Sequence, residues 1–234
     1  MKSIMYHYIR CFDERYPEFK YLEVDKFVEQ LDLFEKTWGF ISKQDFLESV
    51  ETGIPKDGVV LTFDDGFKEH HNAVLPILKE KNIFGFFYIP TGHYKNKKLL
   101  DVHRIHFLLA KCDPDTLLQH VHRNTQSSML QEESVKDFSK NLYDNQKNEN
   151  STLEFKKLMN YYLKYEYREQ ILDFLCRKYL PEDEIYDTLY LSINELKEME
   201  NEGNIVGAHT DNHKVLSRLS PVEQRVEIEN SFLF

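Results

Sequence analysis

Two short segments carry side chains whose types and spacing suit metal-assisted hydrolysis. Asp64-Asp65-Gly66 sets two carboxylates side by side, and the glycine behind them lets the chain turn tightly, so that each acid can face a different partner. One carboxylate can then bind a cation while its neighbour handles protons. His209-Thr210-Asp211-Asn212-His213 places two imidazoles four residues apart, one helical turn, so both point at one ion if the segment is helical. Two histidines and one carboxylate make an open site with room for water. Thr210 adds a hydroxyl that can hydrogen-bond within the loop and fix a histidine.

Each segment alone is weak evidence. Aspartate and glycine are ordinary turn residues, and a chain with ten histidines brings some of them together by chance. His70-His71 and the pair His103 and His106 illustrate that background and are expected to be exposed or capping residues. His7, His93, His103 and His106 can approach the mouth of a site, with structural or solvated roles the stronger expectation for each. The two segments gain force jointly because each follows an apolar strand.

The first strand is Val59-Val60-Leu61-Thr62-Phe63, β-branched and apolar without alternation, as in a strand covered on both faces. The second is Ile205-Val206-Gly207-Ala208, reached through a helix that opens with the capping-box pair Ser192 and Glu195 and stops at Gly203. Ile4 to Ile9 and Phe86 to Ile89 read as two further strands, the latter closed by Pro90-Thr91-Gly92. Val24, Phe27, Val28, Leu31 and Phe34 fall at helical spacing. Ser42 with Asp45 starts a short helix through Val50, which Gly53-Ile54-Pro55 ends. A helix over 73–81 must start or kink at Pro76, and Ser220-Pro221-Val222-Glu223 opens a last one. Alternating strands and helices favour an α/β fold with parallel strands, in which reactive groups sit just past the carboxyl ends of strands. Both segments lie there.

From about residue 95 to 187 the texture changes. Charged and amide residues increase, glycine vanishes, and Leu153, Leu158, Tyr162, Ile171, Leu172 and Leu175 fall at helical spacing. A helical insertion over 95–187 is therefore expected, between a first part of the main domain (1–94) and its continuation (188–234). Within it, Gln131 to Ser151 is polar enough to be a mobile loop.

Composition narrows the classes of function. A net charge of −10 argues against a nucleic-acid backbone as partner, since that binding needs lysine and arginine to neutralise phosphates. No apolar run reaches the roughly 18 residues of a membrane span. The opening residues meet His7 and Tyr8 too early for the apolar core of a secretory signal, so a cytoplasmic protein is expected. Cys11, Cys112 and Cys176 are widely spaced and odd in number, as expected of buried or idle thiols.

Thr62-Phe63-Asp64-Asp65-Gly66 and His209-Thr210-Asp211-Asn212-His213 resemble the first two motifs of the polysaccharide deacetylases, carbohydrate esterase family 4. The resemblance extends to Met5-Tyr6-His7, to Phe86-Phe87-Tyr88-Ile89-Pro90 and to Leu216-Ser217-Arg218-Leu219. It implies a distorted (β/α) barrel and the removal of N-acetyl groups from an amino sugar or oligosaccharide. It also implies a divalent cation, usually zinc. Residue by residue, Asp64 matches the general base, and Asp65, His209 and His213 match the metal ligands. A homo-oligomer is compatible with it.

Two departures stand out. Residues 65 and 209 stand 144 positions apart, far more than in compact members, and the helical insertion accounts for the excess as a lid, a substrate wall or a dimerisation element. The family's later motifs, an arginine near the base and a histidine acting as general acid, are absent from the 21 residues after His213. A barrel without its last strands, with an unpaired sheet edge, is the expectation. Two alternatives follow: a carbohydrate-binding or assembly subunit that turns nothing over, and a related amidohydrolase acting on another acyl group such as formyl. The reading carried forward is an enzyme of surface polysaccharide biosynthesis with a nucleotide-linked or lipid-linked amino sugar as substrate.

Overall fold

The structure, a computed structural model, describes residues 1–131, 142–143, 146 and 148–234. Most of the polar stretch 131–151, expected as a loop, lies outside the described residues. The chain divides into two compact units. The first comprises Met1–Phe12, Lys20–Lys97 and Tyr186–Phe234, and the second Asp13–Phe19 and Lys98–Ile185.

The first unit is built on a four-stranded parallel sheet. In chain order its strands are β1 (Lys2–Tyr6), the short pair β2 (Ile9–Arg10) and β3 (Leu22–Glu23), then β4 (Val59–Asp64), β5 (Gly85–Ile89) and β6 (Ile205–Ala208). The sheet order is β1-β4-β5-β6, with β2 and β3 paired separately. The two strands richest in apolar residues, β4 and β5, are therefore the inner ones, as burial on both faces requires.

Helices α1 (Val24–Thr37), α2 (Lys43–Thr52) and α3 (Leu75–Glu80) connect the strands up to β5, and α4 (Gly92–Asn96) follows β5. In the second unit lie α5 (Asp101–Lys111), α6 (Pro114–Asn124), α7 (Asn150–Lys157) and α8 (Tyr165–Tyr179). After α9 (Glu182–Leu189) come α10 (Ile193–Asn201) and α11 (Pro221–Phe232). α1 buries Phe27 and Leu31 one turn apart, and α10 buries Leu196 and Met199; both meet Leu61, Phe63 and Phe87 in one core. Phe63 is fully buried, stacked 4.7 Å from Phe87 with Phe27 edge-on at 6.1 Å. Truncating such a residue to alanine costs about 3–5 kcal/mol.

Register aligns the sheet's upper rim. Tyr6, Phe63, Phe87 and Val206 form one row across it, so the next row up is Asp64, Tyr88 and Gly207, with His7 following Tyr6 at the same level. The strand expected over Ile4 to Ile9 is broken at His7 and Tyr8: β1 ends at Tyr6, and Ile9-Arg10 pairs with Leu22-Glu23 instead. The helix expected over 73–81 starts as a π-helical turn, His70–Val74, and Pro76 falls in the first turn of α3, where its missing N–H leaves no gap.

The second unit is helical around its own apolar core, which includes Ile105, Leu108, Leu117, Phe155 and Leu172. Tyr16 and Phe19, from the short segment before β3, pack against Phe107 at 4.9 Å. Arg104 is 1% exposed, and its guanidinium meets Asp173 at 2.6 Å and Glu182 at 2.8 Å. A buried guanidinium is tolerable only with such partners. No helix among the described residues is long and apolar enough to cross a membrane.

Candidate metal centre

β4 ends at Asp64, and the chain then turns through two consecutive left-handed residues, Asp65 at φ 76° and Gly66 at φ 66°. Aspartate visits that region more readily than most residues but still stores strain, of order 1–3 kcal/mol. The turn sends the two carboxylates apart. Asp65, 2% exposed, faces the end of β6, where the backbone N–H of His209 donates to the Ile89 carbonyl at 3.0 Å and extends the ladder by one residue.

The segment 209–213 is not helical. Thr210 at φ 62° and His213 at φ 54° are both left-handed, and the Thr210 hydroxyl accepts the His213 backbone N–H at 3.2 Å. This folded loop, rather than a helical turn, aims both imidazoles at one point. Backbone donors from Thr91 and Gly92 close it from β5's side, bonding the carbonyls of Thr210 at 3.2 Å and Asp211 at 2.7 Å. Gly92 is needed for that approach: a Cβ there would lie 2.5 Å from Asn212 Oδ1 and 2.8 Å from the Asp211 carbonyl.

Asp65, His209 and His213 thus come together. His213 Nε2 lies 3.1 Å from Asp65 Oδ1 and 3.1 Å from His209 Nε2, and His209 Nε2 lies 3.7 Å from the same Asp65 oxygen. Zinc bonds of about 2.0–2.1 Å imply tetrahedral edges of roughly 3.3–3.4 Å, which the three separations bracket. The donor set is two imidazoles and a carboxylate, the mixture that suits zinc and leaves a coordination position open. The residues present fit a divalent cation.

Asp64 stands outside the trio. Its Oδ2 is 4.0 Å from His209 Nε2 and 3.9 Å from His7 Nε2. His7, for which the sequence favours a structural or solvated role, flanks the second carboxylate with 41% of its side chain exposed. The signal that finds it is register: with Tyr6 opposite Phe63, the next residue of the first strand falls beside Asp64. His70 departs from expectation too, being fully buried, and its Nε2–H donates to the His7 carbonyl at 2.7 Å. Glu69 accepts the Ile9 N–H at 3.0 Å and pairs with Arg10, so adjacent residues of one turn hold the chain at His7 and just beyond it. His103 is likewise fully buried. His93 is a packed core group, stacked 3.8 Å from Tyr190.

Burial raises the Asp64 carboxyl above its usual range, His209 and His7 pull it back, and Asp65 adds to the rise. Burial and then the His213 charge lower His209. For His213, burial works downward, but the hydrogen bond to Asp65 and the charges of Asp65 and Asp64 outweigh it, and the net direction is up. The negative potential that favours a proton on His213 is the one that would favour a cation beside it.

The chain matches a family model described as polysaccharide deacetylase over residues 52–173, just over half its length. That span contains Asp64 and Asp65 and ends before the histidine segment. No curated protein sequence matches. Among solved structures, a Streptococcus pyogenes deacetylase, PplD, in complex with acetate matches at 17% identity with a TM-score of 0.51, covering 99% of this chain and 65% of that one. This chain therefore spans less than two thirds of that protein's length. A de-N-acetylase from Aggregatibacter actinomycetemcomitans matches at 16% identity (TM-score 0.41, 90% of this chain and 55% of that one). IcaB from Ammonifex degensii matches at 15% (TM-score 0.46, 99% and 66%). The first of these likenesses carries the fold, an α/β arrangement of the deacetylase barrel type.

Proposed function

Because the chain belongs to the polysaccharide deacetylase family, we propose that it is a metal-dependent hydrolase that removes the N-acetyl group from an amino sugar or its oligosaccharide. In this reading Asp65, His209 and His213 hold the cation, Asp64 is the general base and His7 the general acid. The observation that carries it is the convergence of three donor atoms with a second carboxylate and a third imidazole beside them.

A divalent cation held there supplies Lewis acidity toward an amide carbonyl and lowers the pKa of water to about 7. Asp64, held by a buried strand end, takes the proton of the attacking water as its oxygen bonds the acyl carbon. His7, whose Nε2 lies 3.9 Å from Asp64 Oδ2, delivers a proton to the amine nitrogen as the C–N bond breaks. Acetate and a free amine leave, and the two side chains exchange protons with solvent to reset. Such positioned proton transfers contribute typically 10²–10⁴-fold each. His7 also supports turnover over a binding or assembly role, because that alternative rested on the want of an acid.

The test is acetate release from N-acetylglucosamine oligosaccharides by the zinc-loaded chain, with N-formyl substrates in parallel. Asp64→Asn and His7→Gln should each lower turnover by about 10²–10⁴-fold with zinc still bound, whereas Asp65→Ala should weaken zinc itself. No acetate from the loaded chain would sink the reading, and faster formyl release would move it to the other acyl group. A cytoplasmic location, a role in surface polysaccharide biosynthesis and a homo-oligomer belong to the same proposal; cell fractionation and sedimentation test them.

A further inference from the structure

The loop that carries both histidines is gripped from behind by α11. Glu227, 4% exposed, accepts the Asn212 backbone N–H on Oε2 at 2.7 Å and the Asn212 side-chain amide on Oε1 at 3.0 Å, with Lys214 Nζ 3.7 Å away. One turn further along the helix, Asn230 donates to Asp211 Oδ2 at 3.3 Å. Asp211 is itself buried and also accepts from the Thr91 hydroxyl at 2.9 Å and Lys95 at 3.1 Å. A glutamate is seldom this buried unless it is paired and hydrogen-bonded. Here most of its hydrogen bonding goes to the one residue that precedes His213.

The loop needs such a grip. Thr210 and His213 hold left-handed backbone that their side chains do not favour, and strained conformations persist only where surrounding contacts over-determine them. Asn212 sits between those two positions. A contact that pins its N–H and its amide fixes the peptide leading into His213, and through it the direction of that imidazole.

We infer that Glu227 is a positioning residue of the metal centre: it holds Asn212 so that His213 points at the cation shared with Asp65 and His209. The inference rests on the metal-site reading above. Groups behind metal ligands typically contribute roughly 10- to 100-fold in metal affinity.

The experiment titrates the metal-stripped chain with Zn²⁺ in competition with a chromophoric chelator and with Co²⁺, whose visible spectrum reports ligand geometry. Four proteins are compared: the unaltered chain, Glu227→Ala, Glu227→Gln and Glu223→Ala. Glu223 lies on the same helix in its exposed capping box with Ser220 and reports what a weakened helix does by itself. Glu227→Ala should lose roughly 10- to 100-fold in Zn²⁺ affinity and shift the Co²⁺ spectrum. Glu227→Gln, which keeps one acceptor for the Asn212 N–H, should lose less, and Glu223→Ala should change neither. Unaltered affinity and spectrum in Glu227→Ala would overturn the inference, as would an equal loss in Glu223→Ala. If Glu227→Ala does not fold, Glu227→Gln against Glu223→Ala decides: a loss confined to the former upholds the role, and no loss removes it. An unaltered chain that binds neither ion brings down the metal site itself, a result distinct from tight binding that ignores Glu227.

Discussion

His70 donates to the His7 carbonyl from among the rings of Phe63, Phe67 and Phe87, and burial lowers its pKa from the ordinary 6.5 to about 4. Between those values the unfolded chain takes up a proton that the folded chain refuses. Stability should therefore be level above about pH 6.5 and fall as the pH drops toward 4, by about 3 kcal/mol in all at 1.36 kcal/mol per unit. His70→Gln keeps a donor for the His7 carbonyl and loses the titration. Urea midpoints at pH 7, 5 and 4 should show a shallower decline in that variant; parallel declines would remove His70 as the cause. At this scale the sequence spoke unevenly. Asp64, Asp65, His209 and His213 stood out because each follows an apolar strand. His7, His70 and Glu227 did not, because what marks them is a neighbour brought up by the fold: register for His7, a hydrogen bond to another segment for His70, and a helix seated behind a loop for Glu227.

Among the elements, the strands and capped helices were legible because their signals are local. The capping boxes at Ser192 and Ser220 form as expected, and Gly53 ends α2 in a left-handed conformation. The conformation of the histidine segment is not legible in its spacing, since four residues between imidazoles suit a helical turn and a loop with two left-handed residues equally well. What selects the loop is long-range: the N–H groups of Thr91 and Gly92 bond its carbonyls. Gly92→Ala should accordingly push the two segments apart, lowering stability by about 1–3 kcal/mol as overpacking does and weakening zinc. Chemical denaturation and zinc titration check both, and an unchanged midpoint with unchanged affinity would show that the loop yields freely. The π-helical turn after the aspartates has no local sequence signal either, and it sets Glu69 and His70 against the segment that follows β1.

At the scale of the whole molecule, the second unit has a helical core of its own, with the paired Arg104 inside it. Removing that guanidinium leaves acidic partners that keep some contact with water, so Arg104→Ala should cost about 3 kcal/mol, the lower end for a broken buried pair. Zinc affinity, which the proposed site assigns to Asp65, His209 and His213 of the first unit, should not change while the chain is folded. A large loss of zinc binding at temperatures well below the melting point would contradict that separation.

The order of the parallel strands has one more consequence. Asp65 and His209 follow β4 and β6, which never touch, because β5 runs between them; the two strand axes are roughly 10 Å apart. The strands that carry the two halves of the site are brought into register through β5's pairing with each neighbour. A slip of two residues at either seam would keep every side chain on its proper face yet offset the halves by roughly 6.6 Å, more than the 3.7 Å that now separates His209 from Asp65. A misthreaded sheet could thus look well packed and still be unable to gather the three proposed ligands, and under that proposal cation capture would be a sensitive gauge of whether the chain has been wound correctly.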